Sequence, residues 1–247
     1  MNPRFKMKKW VLLCIGIIAL IVAATVIANP AAQTYYLDFS NETAGAPPTS
    51  FVPIVGPWLI GVDGENKVLS VDGRKWKQGQ ISAGIAEQAQ SLYGERYAEF
   101  LNNVKAHADY PFAVARGVDD FQQGEVSFRF KGLDGRIDQA AGILFDLKPN
   151  GNYLTLRANC LEDNLILWAI QHGKRTNVKE IRNTPTPSRQ WHELKLMVKG
   201  NTLEGYLDGK LYLTHEIEKP VSGKVGVWSK ADSVVYFDDF KVKPADR

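Results

Sequence analysis

The residues best suited to chemistry lie on one short stretch, residues 152–159, which reads Asn-Tyr-Leu-Thr-Leu-Arg-Ala-Asn. In an extended strand, side chains alternate between two faces, so Tyr153, Thr155, Arg157 and Asn159 share one of them. An aromatic ring, a hydroxyl, a guanidinium and an amide together offer a stacking surface and hydrogen-bonding groups. Such a face suits a sugar, and the alternative is an ordinary solvent-facing side of a sheet.

Charged and aromatic residues on other predicted strands extend this face if those strands present them outward. Two arginines and a lysine among so few positions favour an acidic or strongly hydroxylated ligand. Glu162 and Asp163 offer carboxylates to a metal or to acid–base work, and the alternative is a tight acidic turn. The complete candidate ligand-binding set is Arg129, Asp146, Tyr153, Arg157, Asn159, Glu162, Asp163, Trp228 and Lys230.

Three aspartates near the C-terminus, Asp232, Asp238 and Asp239, are candidate ligands for calcium, which prefers hard oxygen donors. They lack the dense spacing of an EF-hand loop, and the alternative is a β-bulge whose carboxylates accept backbone N–H groups. No histidines have a zinc-binding spacing, and the chain contains no nucleotide-binding or serine-hydrolase fingerprint. Calcium is therefore the one cofactor that the sequence suggests.

The elements that must position these residues are mostly strands. From residue 124 onward, short alternating runs are separated by turn signals such as Asn150-Gly151 and Asp208-Gly209. Repeated short strands of this kind predict an all-β antiparallel sandwich. Residues 84–105 differ, because their apolar residues recur at helical spacing. We predict a helical insertion there, packed at the sheet edge or over a rim.

The last two alternating runs, residues 223–230 and 233–242, flank a polar turn at Ala231-Asp232-Ser233 and predict a β-hairpin. In the second run the apolar alternation shifts by one residue after Phe237. One extra residue in a strand is the mark of a bulge, which we predict at Asp238-Asp239.

The N-terminus has the composition of a targeting segment. Basic residues precede an uncharged apolar run over residues 10–28, and small residues at its end suit a signal-peptidase site. The run is also close to the about 20 residues that span a bilayer, so a retained anchor is the alternative. We predict a signal peptide or signal anchor, forming a hydrophobic helix, over residues 1–33. One exported domain, periplasmic or extracellular, follows over residues 34–247.

The net charge of +3 comes from that targeting segment. Without the four cations Arg4, Lys6, Lys8 and Lys9, the remainder carries a charge of about −1. A domain with no basic bias does not indicate nucleic acid as a partner. Contact with a membrane is expected only through the N-terminal segment, if that segment is not cleaved. Cys160 is the only cysteine in residues 34–247, so this domain cannot form an internal disulfide.

Several pieces between residues 124 and 242 resemble exported bacterial concanavalin A-like, or laminin-G-like, domains, in particular those grouped with the 3-keto-disaccharide hydrolases. The resemblance covers about half of the chain and implies a jelly roll with carbohydrate substrates or ligands. For some members of that group these are 3-keto-glucosides. The pieces, in order, are residues 135–143, 152–159, 161–164, 173–175, 191–192, 206–210, 226–233 and 237–240.

Laminarinase-type enzymes of this fold carry their catalytic carboxylates on one strand as Glu-x-Asp-x-x-Glu, and this chain has no such pattern. A retaining glycosidase needs two carboxylates about 5–5.5 Å apart. We therefore predict an exported carbohydrate-binding domain with a concanavalin A-like jelly-roll fold. The alternatives are a glycoside hydrolase or lyase acting on glucosides, including 3-keto sugars, and a cell-envelope adhesion or structural module.

Overall fold

The computed structural model describes residues 33–104 and 109–245 of the 247-residue chain. The predicted signal peptide or anchor, with its hydrophobic helix, lies outside these residues except for its last position. Within the described ranges, no helix has the length and apolar character needed to cross a membrane.

The described residues form strands and two short helices. In chain order they are β1 (Tyr35–Leu37), β2 (Phe51–Val55), β3 (Trp58–Asp63), β4 (Asn66–Asp72), α1 (Ile85–Tyr93), α2 (Tyr97–Val104), β5 (Phe112–Ala115), β6 (Gly124–Asp134), β7 (Ala140–Leu147), β8 (Tyr153–Asn159), β9 (Asn164–Gln171), β10 (Lys174–Arg182), β11 (His192–Lys199), β12 (Thr202–Leu207), β13 (Lys210–Glu216), β14 (Lys224–Ser229) and β15 (Val234–Pro244).

The strands form two sheets, and every pairing is antiparallel. The first sheet has the order β13-β12-β11-β6-β15-β4-β3, and β1 also pairs with β15. The second has the order β10-β9-β8-β7-β14-β5-β2. Alternate residues of facing strands, such as Phe128 and Phe130 on β6 and Ile143 and Phe145 on β7, form the core between the sheets. The predicted all-β antiparallel sandwich is confirmed.

The predicted C-terminal hairpin is wrong. β14 pairs with β5 and β7 in the second sheet, whereas β15 pairs with β4 and β6 in the first. The turn between them carries the chain from one sheet to the other, with Ala231 at a φ of 49° and the amide of Ala140 donating to Ser233 Oγ at 3.0 Å. Alternation shows that both segments are strands, but their partners depend on contacts distant in sequence.

The predicted bulge is confirmed. The pairing of β15 with β6 shifts register between Asp238 and Lys241, and Asp239 has a φ of 52°. This is a left-handed conformation that aspartate tolerates better than most residues. Because of the bulge, apolar residues on both sides of it point into the same core, Phe237 before it and Phe240 after it.

The predicted helical insertion consists of α1 and α2, joined by a short 3₁₀ segment. It packs on the outer face of the second sheet, where α1 contacts β2, an edge strand of that sheet, in agreement with the predicted packing at a sheet edge. Ala89 and Phe100 are buried there together with Phe112 of β5 and Trp228 of β14. An apolar cluster outside the sandwich needs a cover, and the insertion provides it. The neighbouring part of this face, on β8, β9 and β10, borders an open cavity.

Candidate functional site

The predicted alternation on β8 is correct, but its outward face is not an ordinary solvent-facing surface. Leu156 and Ala158 belong to the core between the sheets. Tyr153, Arg157 and Asn159 point the other way, and each of them is at most 2% exposed. The alternative reading of this face as a solvated sheet surface therefore does not hold. A buried arginine in particular requires polar partners, because a desolvated charge is costly.

Arg157 contributes to the wall of a cavity of about 480 Å³ on the outer side of β8, β9 and β10. The volume lies within the roughly 300–1,000 Å³ typical of small-molecule sites. We call it the arginine cavity. Its lining consists of Arg157, Glu162, Asn164, Ile166, Trp168, Arg175, Asn177, Glu180, Arg182 and Lys230.

Two neighbours hold the Arg157 guanidinium in place. Its Nη1 donates to Glu162 Oε2 at 2.9 Å and to Asn164 Oδ1 at 2.8 Å. Burial lowers the pKa of Arg157, and the carboxylate of Glu162 opposes that shift; the guanidinium stays protonated. Burial of Glu162 opposes its ionisation, but the hydrogen bond and charge of Arg157 outweigh burial, so the pKa of Glu162 lies below its ordinary value. The pair is therefore ionised at neutral pH.

Arg175 is held by aromatic rings instead. Its Cζ lies 4.1 Å from the centroid of the Trp168 ring and 5.1 Å from that of Tyr110. Both distances are within the range of cation–π contacts, which weaken beyond about 6 Å. Trp168 is on β9, Arg175 is on β10, and Tyr110 precedes β5, so three separate segments position one guanidinium.

Glu162 and Glu180 are the two carboxylates of the arginine cavity, and they flank one amide. Asn164 Nδ2 lies 3.1 Å from Glu162 Oε2 and 3.5 Å from Glu180 Oε1. Glu180 also accepts a hydrogen bond from Arg182 Nε at 2.9 Å. A glycosidase of the two-carboxylate type needs an acid with a raised pKa. Glu162, whose pKa is lowered, has the properties of an acceptor or base and not of that acid.

A network at one end of the cavity positions Lys230. Its Nζ lies 2.7 Å from Oδ2 of Asp138, a fully buried carboxylate. The other oxygen of Asp138 accepts a hydrogen bond from Asn159 Nδ2 at 2.8 Å. Asn159 in turn accepts from the backbone N–H groups of Gln139 and Leu161 through Oδ1. Asn159 is thus a positioning residue beneath the cavity and does not line it.

The three candidate calcium ligands do not come together. Asp232 accepts backbone N–H groups of residues 136, 137 and 138 at 2.8–3.1 Å. Its burial opposes ionisation, but these hydrogen bonds outweigh it and lower the pKa. Asp238 accepts from Asn66 Nδ2, and Asp239 pairs with Arg129, on the outer side of the first sheet. No group of three or more metal-ligating side chains occurs within the residues that the structure describes.

Tyr153 and Trp228 lie close together, but beneath the helical insertion and not in the arginine cavity. Trp228 Nε1 donates to the Tyr153 hydroxyl at 3.1 Å, and both residues belong to the cluster covered by α1 and α2. Burial raises the pKa of Tyr153. These two residues support the floor of the second sheet, next to the cavity.

The remaining candidates lie elsewhere. Asp146 is at the far end of β7, where it pairs with Lys148 at 2.8 Å and accepts the backbone N–H of Ser222. Asp163 accepts the backbone N–H of Thr186 at 2.9 Å and has a φ of 46°, as the tight-turn alternative describes. Arg129 is on the first sheet, with its Cζ 4.9 Å from the Trp191 ring. Of the nine candidates, Arg157, Glu162 and Lys230 line the arginine cavity.

Several cavity residues were missed by the sequence reasoning, notably Trp168, Arg175 and Glu180. A signal for Trp168 was present, because the tight β8–β9 turn pairs Asn159 with Asn164. The alternation of β8 then continues onto β9 and places Asn164 and Trp168 on the same outer face. Tyr110 had no comparable signal, since it reaches Arg175 from a segment far away in the chain.

Comparisons with known proteins bear on the fold. No protein-family model matches the chain, and no curated protein matches it. A solved carbohydrate-binding module, CBM66 of Bacillus subtilis, is 14% identical, with 81% of this chain and 98% of that chain covered and a TM-score of 0.54. The beta-glucanase of Bacillus licheniformis is 10% identical, with 87% and 100% covered and a TM-score of 0.53. A Bacillus subtilis protein of unknown function with a galectin-like fold is 14% identical, with 88% and 98% covered and a TM-score of 0.51.

The chain has a jelly-roll fold. All three structures are jelly-roll sandwiches, and the glucanase is of the concanavalin A-like type, as the sequence resemblance implied. At these identities the likeness concerns the fold alone. The narrower resemblance to 3-keto-disaccharide hydrolases stays a prediction.

Proposed function

We propose that this protein is an exported carbohydrate-binding domain whose arginine cavity holds the glycan. The observation that carries the proposal is Arg157, a charged side chain that is almost fully buried yet borders an open cavity beside a tryptophan. Guanidinium and amide groups form directional hydrogen bonds to hydroxyl and acid groups of a sugar, while an aromatic face packs against its ring. The solved structures with a similar jelly-roll fold, which include a carbohydrate-binding module and a glucanase, support a carbohydrate ligand.

A glycan-array screen tests this proposal. The full-length protein is used, in a detergent without a sugar headgroup so that the detergent does not compete. We expect specific binding to a subset of glycans. Because the cavity binds through arginine and amide groups, we also expect binding to persist in EDTA. Loss of binding in EDTA would contradict recognition by the arginine cavity alone, since Asp232, Asp238 and Asp239 do not come together as a calcium site.

Two arginine variants distinguish the cavity from the rest of the surface. Arg175→Gln removes a cavity cation, whereas Arg96→Gln removes a cation that is 64% exposed and paired with Glu99 on the insertion. We expect the first variant to bind the glycan at least tenfold more weakly and the second to keep its affinity. Equal binding by both variants would contradict the cavity as the site. Turnover of glucosides or 3-keto-glucosides by the unmodified protein would favour the hydrolase alternative.

Export is part of the proposal and rests on the composition of residues 1–33. A fusion of these residues to an alkaline phosphatase that folds only outside the cytoplasm tests it directly. We expect phosphatase activity, and the size of the fusion tells whether the segment is cleaved or retained as an anchor. A fusion without activity would contradict export.

A further inference from the structure

The charges of the arginine cavity are not all balanced. Glu162 neutralises Arg157, Glu180 neutralises Arg182, and Asp138 neutralises Lys230, each at 2.7–2.9 Å. Arg175, in contrast, forms no ion pair with any carboxylate of the described part of the chain. Its contacts are the two aromatic rings that stack on it. The cavity therefore has one cation with no counter-charge of its own.

Some polar atoms of the cavity residues also have no hydrogen-bond partner. Three of its lining residues have a buried polar atom without a partner among the described residues: Arg157 Nε, Trp168 Nε1 and Arg175 Nη1. All three atoms can only donate a hydrogen bond. Buried donors without acceptors are rare in folded proteins, and each one requires an explanation. These three donors lack an acceptor, and they belong to residues that line the cavity with the unbalanced cation.

Stacking prepares Arg175 for such an acceptor. The two rings lie 4.1 and 5.1 Å from Cζ, and the N–H groups of a guanidinium donate in its plane, along the edge. A carboxylate is planar and accepts two parallel N–H···O bonds from that edge. Arg175 also contributes to lowering the pKa of Arg157, which means that the two positive charges repel each other across the cavity. A bound anion relieves that repulsion.

A second cavity of about 490 Å³ adjoins the first at Lys230, which lines both. Its wall includes Trp76, Ile137 and Tyr110, the ring that covers Arg175. Aromatic and aliphatic surface of this kind packs against the apolar face of a sugar ring. The same wall carries Arg74, Asp109 and Asp232, so the second cavity combines aromatic surface with both signs of charge, whereas the arginine cavity has an unbalanced cation.

We infer that the glycan is an acidic oligosaccharide, with the carboxylate of one uronic acid unit at Arg175 and the adjoining unit between Trp76 and Tyr110. This inference rests on the proposed function, since it specifies the ligand of the same cavity. Lys230 lines both cavities and therefore lies at their junction. Attraction between Arg175 and a carboxylate also makes binding sensitive to salt.

Matched sugars test the inference. Isothermal titration with the full-length protein compares galacturonate, glucuronate and mannuronate oligomers with the same oligomers after methyl esterification, which removes the charge and keeps the ring. We expect the free acids to bind at least tenfold more tightly than the esters, because a hydrogen bond to a charged group is the stronger kind. We expect Arg175→Gln to abolish this preference, Arg175→Lys to restore part of it, and Arg96→Gln to leave it unchanged.

Chain length tests the second cavity. Trp76→Ala should weaken binding of a di- or trisaccharide acid several-fold while leaving the monosaccharide acid unaffected. Thermal denaturation of each variant establishes that it is folded. Equal weakening of the mono- and disaccharide would contradict the assignment of the second unit.

The outcomes separate this inference from the proposed function. Tight binding of neutral or esterified glycans, with no preference for the acids, would leave the proposed function standing and overturn the inference. Absence of binding to any glycan would contradict both. Oligosaccharides bearing 6-sulfated galactose serve as a second anionic probe. Binding of these in preference to the uronic acids would overturn the carboxylate as the recognised group.

Discussion

Removal of one charge should show how much a buried ion pair of the arginine cavity contributes to the stability of the fold. In the Arg157–Glu162 pair the arginine side chain is 2% exposed and the glutamate is 41% exposed. Glu162→Gln retains the size of the side chain and an oxygen that can accept from Arg157 Nη1. It removes the counter-charge, however, and leaves a buried cation uncompensated. The loss of stability should therefore exceed that of an exposed ion pair, because the arginine is buried, while the exposure of Glu162 limits it.

The expected loss of stability lies between the values for fully buried and fully exposed ion pairs. Breaking a fully buried pair by removing one partner costs about 3–5 kcal/mol, whereas exposed pairs contribute at most about 1 kcal/mol. Because Glu162 is two-fifths exposed, water reaches the gap that it leaves, and we expect a loss of about 1–3 kcal/mol. With a urea m-value of about 2–3 kcal/mol/M, the unfolding midpoint falls by roughly 0.3–1.5 M.

The insertion supplies a closely matched control. Glu99 is also 41% exposed, and its carboxylate lies 2.8 Å from Arg96, but that arginine is 64% exposed. Glu99→Gln should therefore change the free energy of unfolding by less than about 1 kcal/mol. Urea titrations of the two variants measure the difference directly. Equal losses for Glu162→Gln and Glu99→Gln would refute the reasoning, because the variants differ mainly in the burial of the partner.

The same pair predicts a dependence on pH. The pKa of Glu162 is lower in the folded state than its ordinary value, so ionised Glu162 stabilises the fold above the unfolded-state pKa. This contribution is lost as the pH falls through the folded-state pKa. The stability difference between the unmodified protein and Glu162→Gln should therefore be full at neutral pH and shrink in acid. A difference that is constant across this range would contradict the ionic origin of the effect.

Three further predictions concern the surroundings of the site. Phe100→Ala should lower the free energy of unfolding by about 3–5 kcal/mol in urea, because a fully buried ring leaves a cavity between the insertion and the sheet; a loss below 1 kcal/mol would contradict that packing. Asp232→Asn should cost about 1–3 kcal/mol in thermal denaturation, because three backbone N–H groups lose a charged acceptor. In a Cys14→Ser variant, Cys160, whose pKa burial raises to about 11, should not react with Ellman's reagent at pH 8 until denaturant is added; rapid reaction of this native variant would refute the burial of Cys160.

Local patterns accounted for most of the secondary structure. Alternation identified the strands, Asp208-Gly209 forms the turn between β12 and β13, and both residues have positive φ values as this turn type requires. The phase shift after Phe237 located the bulge at Asp238-Asp239. Helical spacing identified the insertion over residues 84–105. Each of these features depends on residues that are neighbours along the chain.

Local sequence patterns did not predict which sheet each strand joins or which outward side chains are buried. Nothing in the alternation of β14 and β15 states that they enter different sheets. Trp228 and Arg129 both alternate with apolar residues, yet one is buried under the insertion and the other is exposed on the opposite sheet. The same holds for Tyr153, which shares a face with Arg157 but is covered by the insertion.

The sequence by itself therefore determined the strands, the Asp208-Gly209 turn, the bulge, the insertion and the outward placement of Arg157 on its strand. Only the tertiary structure decided which outward residues share a cavity. Tyr110, Trp168 and Arg175 come together because the insertion covers one part of the second sheet and leaves β8, β9 and β10 open. The physical reason is that side-chain direction follows the backbone period of two, whereas the cavity arises from packing between segments that are far apart in the chain.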